Sequence, residues 1–206
     1  MFRFGWCHGA ALLAVGCWLP AWAADVDLAT GGGTDYAELV VHFSDDAQVT
    51  FGVTFDAVAE SWTGTDLVAF VADASGGRYL DGSDTSTFTP PADFGQHAGL
   101  DVVFQTFDFG SGPSTFFDGF GTGGSSDIGF AGGEDYWHFW QGSTGATAPS
   151  GWAVSNVGTS SVAVVDGGAF GFRYGSALAP LEVPEPGTAL LLIAGGLAIS
   201  RRRRHG

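Results

Sequence analysis

Between Gln48 and Asp56 the chain alternates without a break. Val49, Phe51, Val53 and Phe55 stand on one parity, Thr50, Gly52, Thr54 and Asp56 on the other. A period of two marks a half-buried strand, because successive side chains leave a strand on opposite faces. Just upstream, Leu39, Val41 and Phe43 alternate with Glu38, Val40 and His42, and Ser44-Asp45-Asp46-Ala47 supplies turn residues. The two runs read as a hairpin. A helix-rich fold is disfavoured by the same sequence, since 34 glycines, 18 phenylalanines and 7 tryptophans among 206 residues suit turns and short strands.

The period changes once. Leu67, Phe70, Val71 and Ala74 fall at i, i+3, i+4 and i+7, with Thr65 or Asp66 as a cap and Gly76-Gly77 as a stop. This predicts a short helix over 66–75. Further strands are expected at 100–109, 135–141, 151–156, 161–165 and 169–174. The stretches 81–98 and 110–133 read as long loops, and 25–34, ending in three glycines, as a flexible leader. The expected fold is mainly β: a single antiparallel β-sheet or sandwich domain with one short helix. An N-terminal signal helix and a C-terminal transmembrane helix flank it.

Charge narrows the function. There is no lysine, and seven arginines face 22 carboxylates, for a net charge of −15. That balance excludes nucleic acid as a partner, which needs clustered cations. A P-loop, a Schiff base and a Ser-Lys dyad are excluded for want of the lysine.

The N-terminus reads as a secretory signal peptide over 1–23. Arg3 begins it, Ala10 to Leu19 is apolar, and Ala21-Trp22-Ala23 fits an A-x-A cleavage pattern with the cut after Ala23. A buried N-terminal helix and lipoprotein processing at Cys17 are the alternatives. Both cysteines, Cys7 and Cys17, lie inside this segment. The mature chain is therefore expected to lack disulfides, thiolate metal sites and a cysteine nucleophile.

At the other end, Val183-Pro184-Glu185-Pro186-Gly187 leads into an apolar run from Thr188 to Ser200, closed by Arg201, Arg202, Arg203 and Arg204. Gly187 to Ser200 makes roughly 21 Å of helix, short of the ~30 Å hydrocarbon core unless flanking residues snorkel or the bilayer thins. Four arginines hold the end on the cytoplasmic side. Pro184-Glu185-Pro186, the short apolar helix and the arginine cluster together resemble the PEP-CTERM sorting signal. The resemblance implies export, recognition by an exosortase-type membrane enzyme, and removal of the tail. It also implies an association with extracellular polysaccharide and biofilm matrix. A plain membrane anchor that no enzyme processes is the alternative.

The division into 1–23, 24–182 and 183–206 is supported by charge. Residues 25–183 hold 21 carboxylates and two arginines, Arg78 and Arg173, hence −19, while residues 184–206 carry Glu185 and four arginines, hence +3. The middle segment is soluble and repelled from anionic surfaces.

Candidate chemistry is sparse. Gly119 to Gly124 matches G-x-G-x-x-G, but Ser125 to Gly129 shows no helical period to offer an N-terminus to a phosphate, so it reads as a loop. His42, His97 and His138 remain in the middle segment without a spacing that selects a triad. Asp45, Asp46, Asp81, Asp84, Glu134 and Asp135 could hold calcium but follow no ordered repeat, and read as turn aspartates. No cofactor and no metal are expected.

The densest window is Glu134-Asp135-Tyr136-Trp137-His138-Phe139-Trp140. On a strand it splits into Tyr136, His138 and Trp140 against Trp137 and Phe139. One face belongs to the core. The other, if exposed, is an aromatic platform for sugar rings, with Trp137, His138, Trp140 and Trp152 as candidate residues. If covered, it is core on both sides. This window, with Ser150-Gly151-Trp152, Asp166-Gly167-Gly168 and Phe172-Arg173-Tyr174, is similar to the transcobalamin C-terminal-like β domains, some of which bind corrinoids. The expected function is that of an exported cell-surface or matrix protein without catalytic activity. A binding module for carbohydrate or a corrinoid-like cofactor is the alternative.

Overall fold

The computed structural model describes residues 25–83, 89–108, 110, 113–129, 136–144, 151–175 and 180. The expected signal helix and the C-terminal helix lie outside them. Among the described residues no helix is long and apolar enough to cross a membrane.

The alternating run does form a strand, β3 (Gln48–Phe55), paired antiparallel with β2 (Asp35–His42). The first described strand is β1 (Val26–Ala29), inside the segment expected to be a flexible leader. It is an edge strand, parallel to β3, with Val26 opposite Phe51 and Leu28 opposite Val53. Its own four residues are too few to signal a strand, so the pairing with β3 creates it.

Two helices follow β3. The first, α1 (Ala57–Glu60), is a single turn capped by Asp56, whose carboxylate accepts from the Val58 and Ala59 N–H groups at 3.0 and 2.9 Å. The second, α2 (Gly64–Ala74), starts on a capping box in which Thr63 and Asp66 satisfy each other's free N–H groups. It buries Leu67, Val68, Val71 and Ala72. The expected helix at 66–75 is thus present, but it begins two residues earlier and its N-cap is Thr63 rather than Thr65 or Asp66.

A second sheet comes next: β4 (Tyr79–Asp81), β5 (Asp101–Asp108), β6 (Pro113–Thr122) and β7 (Ser125–Ile128), in that spatial order. All of β6 and all of β7 fall where a loop was expected. A β-bulge hides β6 from a period-two reading. Val103 pairs with Gly119 but Phe104 pairs with Phe117, so Asp118 is the extra residue. The bulge resets the parity and lets both Phe117 and Phe120 face the core. Gly119 to Gly124 ends β6 and enters the turn to β7, where Gly123 and Gly124 take φ of 61° and 99°, as a tight hairpin between twisted strands requires.

The chain then returns to the first sheet through β8 (Trp137–Ser143), β9 (Trp152–Val154) and β10 (Gly168–Tyr174). The six-stranded order is β1-β3-β2-β10-β8-β9. Val49, Val41, Phe172 and Phe139 are register partners across four of these strands, so one apolar row crosses the sheet. The expectation of an antiparallel sheet is corrected. Three pairs are parallel, β1 with β3, β2 with β10, and β4 with β5. The strand expected at 161–165 is also corrected. Thr159–Ser161 is a 3-10 turn, and Val162 and Val164 exchange backbone bonds with Gly64 and Trp62 at the start of α2.

The two sheets and α2 enclose one core, with Leu39, Val41, Phe51, Val53 and Phe172 from the large sheet, Val102, Phe117 and Phe120 from the small one, and Leu67 and Val71 from the helix. The fold is mainly β, with two sheets and few helices, as a sandwich requires. Polar contacts tie the sheets at one end. The Ser44 hydroxyl donates to Asp127 at 2.6 Å, and the Ser125 hydroxyl donates to Asp45 at 2.7 Å.

The bulge residue carries a testable consequence. Burial pushes the Asp118 carboxyl above the usual carboxylate range, and its hydrogen bond with Gln105 opposes this only in part. A folded pKa above the unfolded one favours the fold at low pH, and that contribution is lost as pH rises through the folded value. Asp118→Asn is expected to melt above the native protein at pH 7, with the gap closing as pH falls toward about 4. Thermal melts across that range check it; a gap that ignores pH would clear Asp118 of the cost.

Candidate functional site

Each inward residue of β8 finds an aromatic partner. Trp137, 8% exposed, packs edge-on against Phe43 and Phe120 at 5.7 and 4.7 Å and against Tyr174 at 5.2 Å. Phe139 stacks on Phe172 at 5.2 Å. On the opposite parity, Tyr136 and His138 lie ring to ring at 4.1 Å. Trp140 follows them and pairs with Gly171 of β10 and Val154 of β9.

The four candidate platform residues therefore do not share one face. Trp137 points into the sandwich, His138 and Trp140 to the outer face. Trp152 also reaches that outer face, lying against Gly171. A Cβ placed on Gly171 would come 2.8 Å from the Trp152 ring and 2.8 Å from Pro180. Glycine at this position lets an indole and a proline close over the sheet.

A cleft is lined by Trp137 and His138 of the four candidates, and by neither Trp140 nor Trp152. The large sheet and the small sheet part along one side, between Thr115–Phe117 of β6 and residues 136–139 at the start of β8, and the 154–159 segment forms the third wall. The opening holds about 490 Å³ and reaches inward to Phe172. Phe116, Val154 and Val157 at its walls are 38, 51 and 52% exposed. No carboxylate, lysine or arginine is among its described lining residues. The wall is set by the Ser155 hydroxyl, which accepts from the Gln141 side chain at 2.7 Å and donates to the Val157 carbonyl at 2.8 Å. The Trp137 Nε1 is buried with no hydrogen-bond partner among the described residues. Val154, Val157 and Phe116 carry no sequence signal for this role, because lone apolar residues on a surface are ordinary.

The remaining polar candidates serve other ends. Asp45 accepts from the Ala47 N–H at 3.0 Å and Asp81 from the Ser83 N–H at 2.8 Å, so both close turns. Asp84, Glu134 and Asp135 lie outside the described residues. Among the described residues no three metal-ligating side chains draw together. His42 is fully buried, and burial, then the Arg173 charge, lowers its pKa. His97 joins a network around Asp101 that the sequence does not announce. Asp101 is fully buried and accepts from Arg78 Nε at 2.9 Å, Arg78 Nη2 at 2.7 Å and the Gly95 N–H at 2.8 Å, with His97 Nε2 at 3.0 Å. An ionised carboxylate only accepts, so Nε2 is the protonated nitrogen of His97. Burial alone would push the Asp101 carboxyl up, yet Arg78, Gly95 and His97 together hold it below the usual range. Four donors share the two carboxylate oxygens, so the network ties Arg78, Gly95 and His97 to the start of β5.

Of the sorting and cleavage residues, Ala21, Ala23, Pro184, Glu185, Pro186 and Arg201 to Arg204 all lie outside the described residues. Comparison with known proteins reaches the last seven of them. Residues 182–204 match the PEP-CTERM protein-sorting motif. No curated protein and no solved structure matches the chain.

Proposed function

We propose, from the PEP-CTERM protein-sorting motif that this chain carries over residues 182–204, that it is an exported, non-catalytic protein of the cell surface or extracellular matrix. The motif implies processing by exosortase, a membrane enzyme. The order of features supports the rest of the route. A signal peptide over 1–23 starts translocation, and the apolar run from Thr188 to Ser200 parks the chain in the inner membrane. Arg201 to Arg204 stay on the cytoplasmic side. Pro184 and Pro186 keep the recognition stretch extended, since proline has no N–H for a helix and biases the preceding residue away from one. The acidic middle segment, at −19, stays dispersed and clear of anionic membrane once released.

The carrying observation is the coincidence of tripeptide, apolar run and basic end in one 23-residue match. Replacing Pro184, Glu185 and Pro186 with alanine should leave the protein in the inner-membrane fraction. Cell fractionation and immunoblotting read the result, and unchanged delivery refutes the sorting step. Mass spectrometry of the exported protein then locates both termini.

A second reading, a ligand-binding module acting at the surface, is favoured by one feature, the aromatic cleft between β6 and β8, whose described lining holds no carboxylate, lysine or arginine. Extracellular polysaccharide and a corrinoid-like molecule are the two ligand classes it brings forward.

A further inference from the structure

We infer that the outer face of the six-stranded sheet, around Gly171, is the surface this domain presents to the membrane enzyme that processes its tail. The inference rests on the sorting reading and adds a partner surface that the motif itself does not contain.

The first observation is a fixed point. The chain turns just past β10 at Gly175, whose φ is 63°, and Pro180 is buried again. A Cβ on Gly171 would meet the Pro180 ring and the Trp152 indole, each at 2.8 Å. That Cβ points outward, since the neighbours Phe170 and Phe172 belong to the core. Pro180 therefore sits in a notch on the outer face that any larger residue at 171 would fill. Its φ is already set by the ring, so holding it there costs little freedom.

The second is length. The matched motif begins at residue 182, just beyond Pro180. Pro180 and Pro184 are four residues apart, which is about 14 Å of chain when fully extended. A domain of this size has a radius of gyration of about 15 Å. An enzyme that grips Pro184-Glu185-Pro186 thus works within one domain radius of Gly171, and the sheet face lies against it.

The third is the surface. Val40 of β2 and Trp140 of β8 flank Gly171 in register, and Trp140 and Trp152 are half-buried. Partly accessible indoles of this kind are the side chains that anchor protein interfaces. Among the described residues the same face carries Asp27, Glu38, Arg173, His42 and His138. A lipid leaflet is the poorer occupant. Attraction to anionic headgroups takes clusters of lysine and arginine. One arginine beside two carboxylates, on a segment that carries −19, supplies no such cluster. Histidine adds charge only when protonated.

The test is a pulse-chase of the full-length protein in the cells that make it, with loss from the inner-membrane fraction as the readout. A spacer of about twenty Gly and Ser residues inserted after Pro180 keeps the notch filled and lengthens the tether to about twenty-four residues. Where face and motif engage the enzyme together, the effective concentration of one for the other falls roughly as the −3/2 power of tether length. Maturation is therefore expected to slow on the order of tenfold. Pro180→Gly frees the chain back to Gly175, nine residues from Pro184, and should slow it about threefold. Trp140→Ala leaves the tether as it is, removes an indole from the face and should slow maturation several-fold. Because Trp140→Ala also disturbs packing, the spacer variant is the deciding one, and its melting temperature should match the native value. The inference falls if the spacer variant matures at the native rate, or faster, which would make the domain an obstacle. Sedimentation of the exported protein with phosphatidylglycerol vesicles would give the face to lipid and overturn the assignment to the enzyme. The alanine replacement of Pro184, Glu185 and Pro186 separates the two readings. If that protein is retained while the spacer variant matures at the native rate, this inference alone fails. If it is delivered normally, the sorting reading fails and takes this inference with it.

Discussion

Phe120→Ala is expected to cost about 4 kcal/mol, the upper range for truncating a buried aromatic. Phe120 is fully buried. Its ring lies 4.7 Å from Trp137, 4.9 Å from Phe172 and 5.5 Å from Phe117, so, with Phe117 beside it on Phe172 at 5.4 Å, it joins the small sheet to the large one. The three neighbours hang from separate strands whose backbones are held by their own ladders, and they cannot collapse into the void without shifting a sheet. The melting temperature should fall on the order of 10 °C for a domain of this size. Near-UV circular dichroism of the tryptophans follows the loss directly. A melting point within a degree or two of the native value would mean that the sheets do not meet through this ring. Phe116→Ala, on an exposed wall position, is the control and should change stability little.

Asp101→Asn is the second large effect, about 3 kcal/mol, near the lower end for breaking a buried ion pair because Arg78 is partly exposed and keeps its 2.9 Å bond to Asp93. The carboxylate is surrounded by donors only. An asparagine of the same shape presents one oxygen and an NH₂ group, and the NH₂ must face a guanidinium, a backbone N–H or an imidazole N–H with no acceptor between them. The same site sets an acid limit. A folded pKa held below the unfolded one contributes stability above the unfolded value, and that contribution is lost as pH falls through the folded one. Native protein should therefore lose stability below about pH 4, and the advantage over Asp101→Asn should shrink there. Denaturant melts at pH 7 and pH 3 provide the measurement. Equal separation of the two curves at both values would show that the carboxylate is not ionised in the fold.

Function divides along the same line as structure. The sorting motif is read from residues in a row, and needs only to be extended, apolar and basic in that order. The cleft needs β6, β8 and the 154–159 segment brought together from places some forty residues apart. Trp137 stood out in the sequence as part of an aromatic window, but its face was open to either reading. Only the pairing of β8 with β10 turns it inward, where its ring packs between Phe43, Phe120 and Tyr174. Trp140 and Trp152, just as prominent in the sequence, lie instead on the outer face beside Gly171.

Local patterns by themselves determined β2, β3, β10 and α2, because strand alternation and the three-and-four spacing of a helix face act within a few residues and need no partner to be legible. They likewise determined the tail, whose chemistry is written in consecutive side chains. The tertiary structure alone decided the parallel pairings, the short strand β1, the bulge at Asp118, the Asp101 network and the cleft. Each of these depends on which distant segment supplies the other half of a hydrogen bond or a packed surface. That choice is made by the free energy of the whole core, in which local preference is one small contribution among many.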